Sequence, residues 1–180
     1  MAKHNKSSGY KQEHKAKILR PIDAYFNKYA ESHQNPTNKL IHWICVPTIV
    51  FSILGLIWAI PFPYLSFLGK WNGFVNWSSF VITVSIYFYY RLSPALSYAM
   101  LLVVFAFSAL IVALEKLHTN NNWPAMWQVC LTIFVIAWIG QFAGHKIEGK
   151  KPSFIDDIKF LLIGPLWLLH FLFKKAGLSY

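Results

Sequence analysis

Long apolar stretches, each close to the length of one membrane crossing, dominate the pattern of hydrophobic and polar positions. Four of them cover residues 40–60, 75–90, 95–114 and 126–144, separated by prolines or short polar segments. A helix of about 20 apolar residues is ~30 Å long, enough to cross a bilayer. The pattern therefore predicts four membrane-spanning helices, with the break at Ser93-Pro94 turning the second and third into an antiparallel hairpin.

Two further segments are apolar but less regular. Ile22, Tyr25, Phe26 and Tyr29 recur at helical spacing after Pro21, which predicts an N-terminal amphipathic helix lying at the membrane interface. Residues 156–175 are apolar for only about 16 positions and are interrupted by Gly164-Pro165. This pattern predicts a broken, re-entrant or interfacial hairpin, with a fifth span as the alternative.

The start of the first span is marked by a turn. The residue before a proline is pushed out of helical geometry, so Asn35-Pro36 predicts a turn between the amphipathic helix and the span. Thr37 or Asn38 could then cap a helix that begins at Lys39. Pro47, inside the span, predicts a kink one or two turns further on.

Composition agrees with the pattern. The chain is 56% hydrophobic, 18% aromatic and only 13% charged, whereas soluble domains have about 25% charged residues. We predict an all-α polytopic membrane helical bundle that interacts with the lipid bilayer, with a basic, flexible tail over residues 1–19 and one integral-membrane domain over residues 20–175. The two cysteines lie in apolar runs and should be buried and reduced.

The net charge of +10 at first suggests nucleic acid. The lysines, however, cluster before residue 40, around 146–159 and at Lys174-Lys175, all next to apolar segments. Lysines in such places set membrane topology and contact anionic lipid, so we expect no nucleic-acid partner. With the basic N-terminus in the cytoplasm, four crossings place His33, His42 and His145 on the cytoplasmic face and His118 on the other.

The three histidines on one face are the candidate chemistry. Imidazole is the commonest metal ligand at neutral pH, and three neutral nitrogens suit Fe(II), Zn²⁺ or copper. We therefore predict that His33, His42 and His145 meet around a metal ion. Metal-binding histidines are oriented by hydrogen-bond partners. Nearby candidates are Glu31, Asn35, Asn38, Gln141 and Glu148, of which Glu148 could also be a direct ligand.

The spacing alone leaves a simpler alternative open. Interfacial histidines also bind lipid headgroups or cap helices, and a cationic His145 would suit the end of a helix. Other chemistries are less well supported. The sequence has no glycine-rich phosphate loop, no Gly-x-Ser-x-Gly motif and no zinc-protease helix. None of the seven acidic residues lies inside a predicted span, which argues against an ion-coupled transporter.

Three motifs together resemble the Mpo-type family, whose fungal member acts in the conversion of phytosphingosine to odd-numbered fatty acids. The resemblance covers roughly residues 20–173. Its motifs are Tyr29-x-x-x-His33-x-Asn35-Pro36-x-Asn38-Lys39-x-Ile41-His42, Gln141-Phe142-x-Gly144-His145-x-x-Glu148-Gly149-Lys150-x-Pro152 and Gly164-Pro165-Leu166-Trp167.

The resemblance implies an Fe(II)-dependent dioxygenase that converts 2-hydroxy fatty acids and O₂ to the fatty acid one carbon shorter plus CO₂. It implies that His33, His42 and His145 are catalytic iron ligands, with His170 a further candidate for the site. Lys146 and Lys150 could steer the substrate carboxylate. The expected location is the bacterial inner membrane or, in a eukaryote, the endoplasmic reticulum membrane. The alternatives are a non-catalytic lipid-binding or scaffold protein and a metal-dependent lipid hydrolase.

Overall fold

Helices account for all the regular secondary structure of the protein in this computed structural model, which describes residues 20–149 and 154–180 and the side chains of the second range from residue 160. They are α1 (Pro21–Ala30), α2 (Pro36–Trp58), a 3-10 helix (Ser66–Phe74), α3 (Trp77–Leu92), α4 (Pro94–Asn121), α5 (Met126–Glu148) and α6 (Phe154–Lys175). No strand occurs in these ranges, so the all-α prediction is confirmed. The predicted tail and Lys150 lie outside the described residues.

Three of these helices, α2, α4 and α5, are long and apolar enough to cross a membrane. The apolar pattern predicted four spans, and the described residues do not confirm the fourth. Helix α3 has 16 residues, hence ~24 Å of length, because Asn76 caps its start and the Ser93-Pro94 break ends it. The predicted hairpin is present, since Ser93 alone separates α3 from α4 and Tyr90 contacts Tyr98 across the link.

Helices α2 and α5 form an antiparallel pair that defines one side of the bundle. Gly55 of α2 lies against Cys130, and Gly140 of α5 lies against Cys45. Because neither glycine has a side chain, the helices approach closely, as small residues allow between membrane helices. Both cysteines are free and buried, as predicted. The pairing brings the start of α2 beside the end of α5.

Gly144 of α5 allows a similarly close approach to α2 beside the candidate site. A Cβ added there would collide with the side-chain oxygen of Asn38, a fully buried residue of α2. We expect Gly144→Ala to lower the free energy of unfolding by about 1–3 kcal/mol, the usual cost of overpacking, measured by denaturant unfolding in detergent. The matched control is Gly73→Ala, since nothing lies within 4 Å of a Cβ at that position. Equal stabilities of the two variants would contradict the close packing.

The cap of α2 differs from the prediction. The helix begins at Pro36, and Asn35, rather than Thr37 or Asn38, is the capping residue. Its side-chain oxygen accepts hydrogen bonds from the backbone N–H groups of Thr37 (2.9 Å) and Asn38 (3.4 Å). Proline is favoured at the first helical position because it has no N–H to satisfy there. The helix therefore begins at Pro36 and not at the predicted Lys39.

Helices α1 and α6 pack together across the end of the bundle that holds the start of α2. The buried face of α1 consists of Ile22, Phe26 and Tyr29, whereas Tyr25 of the predicted apolar face is exposed. Tyr29 contacts Phe160 and Trp167 of α6. Helix α6 is one continuous helix, so the predicted break or hairpin at Gly164-Pro165 is wrong. A proline removes only one helical hydrogen bond, and packing on both sides can compensate for that loss. Gly164 provides such packing by lying against Tyr29 and Val46.

Candidate metal centre

The three predicted histidines converge although they come from distant parts of the chain. His33 lies in the turn after α1, His42 in the second turn of α2 and His145 in the last turn of α5. Each offers a ring nitrogen, and these nitrogens lie within 4.8 Å of one another. Two nitrogens bound to one ion at ~2 Å each lie at most ~4 Å apart, so small side-chain rotations would close the group around a metal. His33 (3% exposed) and His42 (1% exposed) are buried, and His145 is half-buried.

Backbone carbonyls orient two of the rings. The Nδ1 atom of His33 lies 2.6 Å from the carbonyl oxygen of Tyr29, and that of His42 lies 2.9 Å from the carbonyl oxygen of Asn38. A carbonyl only accepts, so each Nδ1 carries the proton and donates, which leaves each Nε2 with a free lone pair. Partners of this kind typically set the tautomer of metal-binding histidines.

The Nε2 atom of His33 is the observation that tests whether a metal fits. It is buried and has no hydrogen-bond partner in the described part of the chain. A buried polar atom without a partner is costly, and native proteins rarely leave one unsatisfied. A metal ion among the three rings would satisfy it, so the donor set and its surroundings fit a bound cation.

The protonation state of His33 also suits a ligand. Burial lowers its pKa from 6.5 to about 4, even though the bond to the Tyr29 carbonyl acts in the opposite direction. The ring is therefore neutral at pH 7, as metal binding requires. Tyr29 stacks on it, with ring centroids 4.1 Å apart and planes 7° from parallel, and the Trp167 ring lies 5.4 Å away. These two aromatic residues cover one side of the site.

Tyr29 and Trp167 are the residues that sequence reasoning missed as parts of the site. Both stand in the motifs that carry the family resemblance, but neither was assigned a role. The spacing of four between Tyr29 and His33 was the available signal, because residues four apart share a helix face. Trp167 had no comparable signal, since its position depends on how α6 packs.

Glu148 holds the turn that carries His33 against the end of α5. One carboxylate oxygen accepts from the backbone N–H of Gln34 at 2.7 Å, and the other accepts from the N–H of Asn35 and the side-chain amide of Asn38, both at 3.0 Å. The side chains in the described ranges that could hold a metal together are the three histidines, without Glu148. In this structure Glu148 therefore acts as a hydrogen-bond acceptor that positions the turn.

Asn38 connects this carboxylate to the ring of His42. The side-chain NH₂ of Asn38 donates to Glu148 and to the backbone carbonyl of Ser32 at 3.3 Å. The backbone carbonyl of Asn38 accepts from the His42 ring. Asn35 contributes through the helix cap described above. The two asparagines thus fix the turn and the start of α2, on which both buried histidines depend.

The other predicted residues are more dispersed. Gln141 is buried on α5, one turn before His145, and Lys146 is exposed beside it. His170 is buried but stacks on Phe26 at 4.6 Å, and Trp167 lies between it and His33. It is not a member of the three-histidine group, so the structure places it in the contact between α1 and α6.

Fold and site together define a class: a protein that is helical throughout its described secondary structure, with membrane-capable helices and three histidines that could hold a metal ion. Comparison with known proteins makes this specific. A sequence model of the family described as "2-hydroxy-palmitic acid dioxygenase Mpo1-like" matches residues 19–176, so the chain belongs to the Mpo1-like family. The chain is 29% identical over 151 residues to the 2-hydroxy-palmitic acid dioxygenase MPO1 of Saccharomyces cerevisiae, covering 81% of this chain and 76% of that protein. No solved structure matches.

Proposed function

We propose that this protein is an Fe(II)-dependent dioxygenase that shortens 2-hydroxy fatty acids by one carbon. The observation that carries the proposal is the unpartnered, buried Nε2 of His33 in a group of three converging histidines. The name of the family supports 2-hydroxy fatty acids as the substrate class. The reaction R–CH(OH)–COOH + O₂ → R–COOH + CO₂ + H₂O balances without a reductant, which agrees with the lack of a nucleotide-binding motif in the sequence.

His33, His42 and His145 are the proposed iron ligands. Bound Fe(II) would provide open coordination positions at which the hydroxyl and carboxylate of the substrate and O₂ could meet. The protein's own contribution is to hold the His33 ring neutral and to orient the His33 and His42 rings through backbone carbonyls. Tyr29 and Trp167 exclude water from one side, which strengthens electrostatic interactions within the site.

Charged residues at the mouth of the site and the apolar helices would place the substrate. Lys146 is exposed on the last turn of α5, next to His145, where its ammonium group would attract the substrate carboxylate. Lys150 is proposed to act in the same way. The acyl chain would lie among the membrane-embedded helices, with the site on the cytoplasmic face of a bacterial inner membrane or of the endoplasmic reticulum membrane.

The decisive experiment measures metal, gas and product together. The purified protein should contain about one iron per chain and, with 2-hydroxypalmitate, consume one O₂ for each CO₂ and each C15 acid formed, as the balanced equation requires. The matched control substrate is 3-hydroxypalmitate, which lacks the hydroxyl beside the carboxylate. Tightly bound zinc without O₂ uptake would overturn the proposal. Lipid cleavage without oxygen would instead indicate the hydrolase, and absence of any bound metal would favour the scaffold.

A further inference from the structure

A second recess lies deeper in the bundle than the histidines. This cleft, of about 80 Å³, lies between α2, α3, α4 and α6. Its lining is almost entirely apolar and includes Val50 and Leu54 of α2, Val81, Ser85 and Tyr89 of α3, and Val104 of α4. A cavity needs roughly 10–15 Å³ to hold one water molecule, so the cleft has room for a few methylene groups. An apolar lining of this kind suits a hydrocarbon and offers little to a charged or strongly polar ligand.

Val50 and Leu54, which line the cleft, lie on the side of α2 that carries His42. His42, Val46 and Val50 follow one another at a spacing of four residues, so they lie along one side of the helix. At 1.5 Å per residue, Val50 is ~12 Å and Leu54 is ~18 Å from His42 along the helix axis. Val46 packs against Gly164 of α6 between the two sites. An acyl chain that joins the two sites would pass beside this contact.

The rim of the cleft is open to the surface of the bundle. Val81 on α3 is 40% exposed and Leu162 on α6 is 38% exposed, although both line the cleft. An apolar residue on the outside of a membrane-spanning bundle faces lipid, so this opening connects the cleft to the acyl region of a bilayer. A hydrocarbon chain could therefore enter sideways without crossing water.

We infer that the cleft binds the distal part of the substrate's acyl chain while the polar head lies at the three histidines. This inference rests on the proposed function. Each carbon–carbon bond of an extended chain is ~1.5 Å long and advances slightly less along the chain. About ten carbons therefore reach Val50, and a chain of about 16 carbons reaches Leu54. The cleft should thus contribute to the binding of long 2-hydroxy acids and not to that of short ones.

Filling the cleft tests the inference through chain-length preference. Ser85→Phe places a large ring in the cleft, far from the histidines. The matched control is Val84→Phe, which introduces the same ring one residue away on the outer face of α3, where Val84 is 68% exposed. Since each methylene excluded from an apolar site weakens binding about fourfold, we expect Ser85→Phe to lower kcat/KM for the 16-carbon substrate roughly tenfold to a hundredfold. Turnover of 2-hydroxyoctanoate should stay within about twofold, which also shows that the variant folds.

Two results would overturn the inference. One is an unchanged ratio of long-chain to short-chain turnover in Ser85→Phe. The other is an equal change in Ser85→Phe and Val84→Phe, because that would indicate a general effect of bulk on α3. Either result, obtained with an active wild-type protein, would leave the dioxygenase proposal standing and remove only the cleft.

Photolabelling needs no turnover, so it tests the acyl-binding cleft even if the protein shows no dioxygenase activity. A 2-hydroxypalmitate analogue with a photoreactive diazirine near its methyl end should label residues that line the cleft, such as Tyr89 or Met100, and Ser85→Phe should suppress this labelling. Labelling confined to outward-facing residues would contradict the cleft as the binding site. Cleft labelling in a protein that turns over no 2-hydroxy acid would keep the acyl site and reject the proposed chemistry.

Discussion

Replacing His42 by alanine should abolish both iron binding and turnover of 2-hydroxypalmitate. His42 is the most buried of the three histidines, and its protonated Nδ1 is committed to the Asn38 carbonyl, so its Nε2 is the atom left for a ligand bond. Removing a direct ligand should lower the metal affinity by more than the roughly 10–100-fold that follows removal of a supporting hydrogen-bond partner. Metal content after gel filtration and O₂ uptake measure the effect.

The control for His42→Ala is His118→Ala, because His118 is exposed near the end of α4, outside the three-histidine group. The control should retain iron and activity. Metal-free wild type and metal-free His42→Ala should be compared by thermal unfolding, and addition of Fe(II) should raise the Tm of the wild type alone. A His42→Ala protein that still binds one iron per chain and turns over normally would contradict the proposed site.

Glu148→Gln should weaken iron binding roughly 10–100-fold without removing a ligand. The carboxylate accepts three N–H groups, whereas an amide has one oxygen and turns an NH₂ toward those donors. The turn should therefore shift, and His33 with it. Hydrogen bonds to charged groups contribute about 1.5–3 kcal/mol each, so the free energy of unfolding should also fall. Titration of the metal-free protein with Fe(II) gives the affinity.

Two comparisons show whether Glu148 acts through His33. Glu115→Gln is the matched control, because Glu115 is a half-buried carboxylate near the far end of α4. It should leave the iron affinity unchanged. The spectrum of a Co(II)-substituted protein, which reports ligand geometry, should change in Glu148→Gln. Reduced stability with an unaltered Co(II) spectrum and unaltered iron affinity would mean that Glu148 only stabilises the fold.

Much of the site could be predicted because two simple regularities point to it. Apolar runs gave the approximate positions of α2, α4 and α5, and a turn before α2 placed His33 beside His42. The close contact of His145 with both followed from an antiparallel arrangement of its helix with α2. The structure provides that arrangement through the glycine contacts of α2 and α5, although within the described residues three helices, and not four, are long and apolar enough to cross a membrane. The positions of the rings therefore depend less on the number of crossings than on this helix pair.

The remaining features depend on tertiary contacts that no local pattern encodes. Pro165 normally signals a break, but α6 continues through it because Tyr29 and Val46 pack against Gly164. The role of Glu148 could not be separated from that of a ligand, because its three donors lie in a turn over 100 positions away in the chain. His170 was only a further candidate for the site in the sequence, and its packing against Phe26 places it in another contact.

The distance in sequence between the ligands has a consequence for biogenesis. His33 and His42 leave the ribosome early, whereas His145 and Glu148 are synthesised about 100 residues later. A nascent chain that ends before α5 can present only two imidazoles, and it lacks the carboxylate that anchors the first of them. The proposed iron loading would therefore follow synthesis of α5, so a product stalled or truncated before α5 would accumulate without its metal.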